Sequence, residues 1–130
     1  MHPFRAAIEA GDTAAVEDLL ADDVVFTSPV AFKPYEGKPL TAAILRAVMR
    51  VFEDFEYLRE IGEADGDDHA LVFQTKVNGK TVQGCDFLRL NAEGKIVDFM
   101  VMVRPLSGAN ALAEAMAAQF PRIQAEALAG

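Results

Sequence analysis

Cysteine is almost absent from this chain: Cys85 is the one thiol in 130 residues, so no intramolecular disulfide can form. That usage fits a reducing compartment, and a cytoplasmic location is the expectation. Basic residues are also scarce. Lys and Arg number 12 against 20 Asp and Glu, for a formal net charge of -8. A nucleic-acid binder needs a basic footprint, and anionic membrane surfaces repel such a chain. No apolar run approaches the roughly 18 residues that a membrane span requires. Met1 to Arg5 lacks the apolar stretch of a signal peptide. His2 and His69 lie far apart, and with one cysteine they make no metal-ligand spacing. No Gly-x-Gly-x-x-Gly phosphate loop occurs. Neither a metal nor a cofactor is therefore expected.

Apolar side chains are plentiful, at 52% of the sequence. That is too rich for disorder, and the length suits a single domain over residues 1–130 with its own core.

Periodicity divides the chain into helices and then strands. Pro3 to Ala10 reads as a short helix with Phe4, Ala7 and Ile8 on one face, closed by Gly11. Asp12 is placed to cap a second helix carrying Val16, Leu19 and Leu20. Val24 to Ser28 is a short strand stopped by Pro29, and residues 29–38 read as an ordered loop. Pro39 opens a third helix with the stripe Leu40, Ile44, Val48, Val51 and Phe52. Strands follow at Phe55–Ile61, His69–Val77, Lys80–Leu90 and Lys95–Val103. Asn78-Gly79 marks a type I′ hairpin between the middle two, because that turn needs positive φ at both positions. Ser107 is placed to cap a last helix with Leu112, Met116 and Phe120, which Pro121 should kink or end. The helices must then cover one face of the sheet.

The last strand is apolar on both sides. Val97, Phe99, Val101 and Val103 point one way; Ile96, Met100 and Met102 point the other, with only Asp98 polar among them. Phe87 adds to that second face. Either the C-terminal helix folds over it, or it is a homodimer interface.

The order of elements resembles the nuclear transport factor two-like superfamily, which includes ketosteroid isomerases and SnoaL-like polyketide cyclases. The resemblance is carried by Ala21-Asp22-Asp23-Val24-Val25-Phe26 leading into Ser28-Pro29, by Tyr35-Glu36-Gly37-Lys38, by Asp86-Phe87-Leu88-Arg89-Leu90 and by Gly94-Lys95-Ile96. It implies an α+β, cystatin-like cone: a curved antiparallel sheet wrapped around three N-terminal helices, with a C-terminal helix. The fold hosts many functions.

The ketosteroid isomerases use an aspartate base before a proline, a first-helix tyrosine and a late-strand aspartic acid kept neutral by an apolar site, a standard example of such an acid. The matching positions here are Ser28, Phe4 and Asp86. Two of the three groups are missing, so the resemblance does not extend to that mechanism. It implies instead an apolar cone lined by Phe4, Phe26, Ser28, Leu71, Phe73, Thr75, Leu88, Phe99, Val101 and Val103 around Asp86.

Asp86 is the candidate functional group. A carboxylate among apolar neighbours is costly when ionised, so its pKa should rise. It could donate to a ligand, transfer a proton, or simply bond a buried hydroxyl such as that of Thr75 or Ser28. Gly84 beside it leaves room for a ligand or marks a bulge. Tyr35 and Tyr57 could offer hydroxyls to the pocket or be rim or interface aromatics, Arg104 could sit at the mouth or pair with surface acids, Cys85 points away from Asp86, His69 reads as a sheet-edge residue, and His2 as a mobile one. The expected occupant is a small, largely apolar molecule, and whether a reaction accompanies binding stays open.

Overall fold

A computed structural model describes residues 1–129. Helix α1 spans Pro3–Ala10, and its N-cap is His2, whose Nδ1 accepts the Phe4 N–H at 3.0 Å. His2 is therefore fixed rather than mobile. It is buried, its backbone N–H donates to Glu60 at 2.9 Å, and its ring packs edge-on to His69 with centroids 4.5 Å apart. His69 is likewise buried rather than a free edge residue, with Nε2 2.8 Å from the Gly66 carbonyl. Gly11 ends α1 in the left-handed region at φ 67, and Asp12 caps α2, Thr13–Asp18.

Strand β1, Leu20–Thr27, begins earlier than Val24 because Leu20 and Ala21 turn into the core. The loop after it contains β2, Tyr35–Glu36, which pairs back on β1. Helix α3, Lys38–Val51, buries Ala42, Ala43 and Ala47 beside Ile44 and Leu45. Its deepest face is thus rotated from the expected stripe toward small side chains, which permit close approach. Strands β3 (Glu53–Ile61), β4 (Asp68–Val77), β5 (Lys80–Leu90) and β6 (Ile96–Arg104) form the meander, with Asn78 at φ 50 and Gly79 at φ 80 in the hairpin turn. The six-stranded sheet runs β2-β1-β6-β5-β4-β3 and is curved and open. It is antiparallel except where β1 lies parallel to β6.

Simple alternation fails at the start of β6. Arg89 pairs with Asp98, but Leu90 pairs with Ile96, so Val97 is an extra residue in a bulge. The bulge turns Ile96 inward, where it is fully buried, and removes it from the outer face.

Helix α4, Leu106–Ala129, starts one residue before Ser107 and runs through Pro121 without ending. A proline there frees the Ala117 carbonyl of its helical partner. Ala117 and Pro121 are both exposed, so water can replace the bond, while Ile123 beyond them is fully buried. The helix does not fold over the outer sheet face. Leu112 and Ile123 join the core on the inner side, and α4 lies against α3. Arg46 on α3 bridges Glu17 and Glu126, and Arg50 donates to Gln119 at 3.1 Å. No helix among the described residues is long and apolar enough to cross a membrane.

Candidate functional site: an apolar cavity around Asp86

The sheet curves away from the helices and leaves a cavity of about 620 Å³. Phe26, Phe73, Phe99 and Val101 of the sheet form its floor. Phe4 and Ile8 of α1 stand on one side, and Phe55 and Tyr57 of β3 also reach the space. Helices α3 and α4 roof it with Val48, Met49, Met116 and Phe120 among others. Ser28, Pro29 and Val30 complete the wall, with Tyr35 packed 6.1 Å from Phe120.

Of the residues expected on the cone wall, Phe4, Phe26, Ser28, Phe73, Asp86, Phe99 and Val101 line this space. Leu71, Thr75, Leu88 and Val103 face the same way but do not reach it. Leu71 and Leu88 are absorbed into the main core, and Val103 packs around the cluster of Val77, Val82 and Leu112. The Thr75 hydroxyl donates to the Glu53 carbonyl at 2.8 Å. Strand alternation fixes the side a residue faces, not whether another side chain fills the space in front of it. Gly84 corrects a second expectation. It sits in an unbroken register opposite Phe73, so there is no bulge, and the Phe73 ring occupies the space that a Cβ would need. The glycine makes room for a core phenylalanine rather than for a ligand.

Asp86 projects from β5 with 7% of its surface exposed, and it makes no hydrogen bond among the described residues. The two hydroxyls that could have satisfied it are engaged elsewhere: Thr75 with Glu53, and Ser28 Oγ with the N–H groups of Val30 and Ala31, both at 3.0 Å. Burial alone pushes its pKa up to about 8, so the carboxyl is a neutral acid at pH 7. Tyr57 is its neighbour in charge. Burial chiefly, and then the nearness of Asp86 and Glu9, hold the phenol far above its ordinary value and keep it protonated. Its ring is fixed by an edge contact with Phe55 at 4.8 Å and by the Arg5 guanidinium 5.6 Å from its centroid.

Glu9 is the other carboxylate on the wall, and sequence reasoning overlooked it. It is ion-paired with Arg5 at 3.0 Å, one helical turn away. The signal was its place beside Ile8 on the face that carries Phe4. The site thus offers two protonated oxygens, Asp86 and Tyr57, and one ion-paired carboxylate in an otherwise apolar space. Arg104 is not at the mouth; it donates to Gln83 at 2.6 Å on the outer face. Cys85 also faces outward, and burial raises its thiol pKa, which disfavours a nucleophilic thiolate. No group of three His, Cys, Asp or Glu side chains among the described residues is placed to hold a metal ion.

Comparison with known proteins places the fold. The model of the SnoaL-like domain family matches residues 2–99. A steroid delta-isomerase from Pseudomonas aeruginosa is 42% identical over 94% of this chain and 89% of its own, with a TM-score of 0.86. An uncharacterised cystatin-like-fold protein from Silicibacter pomeroyi is 36% identical over 95% of this chain and 91% of its own, with a TM-score of 0.84. A putative polyketide cyclase from Pseudomonas putida shares the fold at 24% identity, covering 82% of this chain and 89% of its own, with a TM-score of 0.65. No curated protein matches the chain. With the order of its elements, its cone and three quarters of its length in agreement, this chain belongs to the SnoaL-like domain family.

Proposed function

We propose that the protein binds a small, largely apolar molecule in the cone and holds an oxygen of that molecule against Asp86. The observation that carries this reading is a buried carboxyl without a hydrogen-bond partner, facing an apolar cavity. A ligand carbonyl or ether in the cavity would accept the hydrogen bond that no side chain there takes from the protonated carboxyl. The cavity volume of about 620 Å³ falls within the roughly 300–1,000 Å³ typical of small-molecule sites. Tyr57 supplies a second O–H beside Asp86, so an acceptor oxygen suits the polar end better than a cation or an anion.

A second reading makes Asp86 an acid or base in an isomerisation, cyclisation or hydrolysis. It is favoured by the presence of two carboxyl groups in different environments on one wall, Asp86 shielded and Glu9 ion-paired. The name of the Pseudomonas aeruginosa relative suggests a steroid as substrate. Against the standard isomerase mechanism stand Ser28 in place of the base and Phe4 in place of the tyrosine. If an enzyme, the protein must use another proton acceptor, and Glu9 is the carboxylate within the cavity wall.

The neutral ketone fluorophore prodan tests the binding reading. It should bind the protein with a blue-shifted emission. Asp86→Leu, which removes the donor, should weaken binding about tenfold, the value of one hydrogen bond of about 1.4 kcal/mol. Asp86→Asn, which keeps an N–H donor, should stay within about threefold. Equal affinity in all three proteins would refute the role of Asp86. Turnover of an identified substrate that survives Asp86→Asn unchanged would sink the catalytic reading.

A further inference from the structure

We infer that His2 is a pH-sensitive latch: when its ring takes up a second proton, helix α1 loses its N-cap and the cavity wall that this helix supplies loosens. The ring Nδ1 accepts the Phe4 N–H at 3.0 Å, so it carries no hydrogen, and the neutral ring holds its proton on Nε2. Protonation would set a second N–H against the first. The capped amide belongs to Phe4, whose side chain lines the cavity and meets Phe99 at 5.2 Å. Ile8 and Glu9 of the same helix also line it. Helices shorter than about 12–15 residues are marginal in water by themselves, so α1, with 8, depends on its cap and its packing. Its first turn holds no acidic residue of its own, and a cation at that end meets the positive pole of the helix dipole.

The groups around the ring oppose its charge. His69 of β4 packs edge-on with centroids 4.5 Å apart and is held in place, its Nε2–H donating to the Gly66 carbonyl at 2.8 Å. Two imidazoles that close resist carrying charge together. Glu60 of β3 is the carboxylate that faces His2. It accepts the His2 backbone N–H at 2.9 Å, and its charge is shared with the terminal ammonium and with Arg5, each 3.9 Å away. Glu60 stays ionised across the histidine range, because that backbone bond chiefly holds its pKa low. Burial first, then His69 and the ammonium, outweigh Glu60 and keep the His2 pKa below its ordinary 6.5. A pKa depressed on folding means that the unfolded chain takes the proton first. The stability that the neutral ring gives is therefore present near pH 7 and is lost as pH falls below 6.5 and through the folded value.

Hydrogen exchange read by NMR tests the latch on the full chain without ligand, and nitrogen-15 shifts of the imidazole report where the His2 proton sits. Protection of the α1 amides should fall about fivefold from pH 7 to pH 5, the usual worth of one N-cap, while that of the β4–β5 hairpin holds. His2→Asn keeps an oxygen acceptor that cannot titrate and should leave α1 equally protected at both values. His2→Ala should be about fivefold less protected at both. The effect on the cavity rests on the reading of the cone as a ligand site, and prodan affinity measures it. Asp86, with a pKa of about 8, keeps its proton over this range, so a loss of affinity does not come from that donor. Affinity should weaken about fivefold in the native chain and by less than about twofold in His2→Asn. Native protection indifferent to pH, a fall equally large in His2→Asn, or a proton on Nδ1 at pH 7 would each overturn the proposal. A loosened α1 with prodan affinity unchanged would overturn the link to the cavity. Failure of prodan to bind at pH 7 would instead count against the reading of the cone, and the exchange result would still decide the latch.

Discussion

Asp86→Asn should make the folded protein more stable, and the gain should grow with pH. The carboxyl has an ordinary pKa of 3.8 and one of about 8 in the folded chain, because burial penalises its charge. Between those values the folded state holds a proton that the unfolded state releases. Its pKa is raised on folding, so the wild type loses stability as pH climbs from about 4 to about 8, and the loss is complete above that. At about 1.4 kcal/mol for each tenfold difference in proton affinity, the whole effect is on the order of 5 kcal/mol. Asparagine cannot ionise, but it buries an amide, which costs on the order of 1 kcal/mol. The difference between the two proteins should therefore be small near pH 4 and reach about 3–5 kcal/mol at pH 9. Urea denaturation of both proteins at pH 5, 7 and 9 measures this directly. A pH-independent difference would mean that Asp86 ionises normally in the folded chain. A protein that keeps so costly a group in its core gains something other than stability from it, and ligand recognition is that gain in the present account.

The second large effect concerns Phe99. Its ring is 1% exposed on β6 and holds Phe4 of α1 at 5.2 Å and Phe26 of β1 at 5.3 Å. It thus ties the first helix and the first strand to the sheet while forming part of the cavity floor. Phe99→Ala should cost about 3–5 kcal/mol, through lost burial and the void left behind. That is a large share of the roughly 5–15 kcal/mol that such a domain has in total. The α1 segment should also become less protected, because Phe4 loses its edge contact. Hydrogen exchange would show faster amide exchange in residues 3–10 than in the hairpin of β4 and β5. Phe99→Leu keeps most of the volume and should lose much less. Equal losses in the two variants would argue that the aromatic contacts, rather than apolar volume, carry the effect.

The sequence was most readable where local physics decides the outcome. Asn78-Gly79 placed the central hairpin because few residues accept positive φ at both turn positions. Proline and glycine bounded α1, and Asp12 capped α2 as its chemistry suggests. Reading became unreliable where tertiary contacts override local preference. Nothing local announces the bulge at Val97, yet it moves Ile96 from one face of the sheet to the other. Pro121 looked like a helix stop, but an exposed backbone and a buried Ile123 make its cost bearable. The roofing of the cavity by α4 could not be read from periodicity, since an apolar stripe does not say which face it will cover.

The same division holds for the site. Asp86 stood out because a carboxylate alternating with apolar residues on a strand is anomalous on elementary grounds. Six other wall residues followed from alternation and the family resemblance. Thr75 and Leu88 were misplaced because the inner surface of the cone is part cavity and part packed core. Tyr57 was legible only as an aromatic of uncertain side, and Glu9 as an ordinary helix charge. Their relation to Asp86 arises from β3 and α1 meeting β5 in space, which no spacing along the chain encodes.

The central claim is that a neutral Asp86 carboxyl waits inside the cone to donate to a bound oxygen. Carbon-13 NMR of protein labelled at its aspartate carboxyls measures that protonation state group by group, with Asp86→Asn assigning the signal. The account predicts one carboxyl titrating near pH 8, with its midpoint moving upward when prodan is added, because a donated hydrogen bond favours the protonated form. A midpoint near 4, or one near 8 that prodan leaves unmoved, would contradict it.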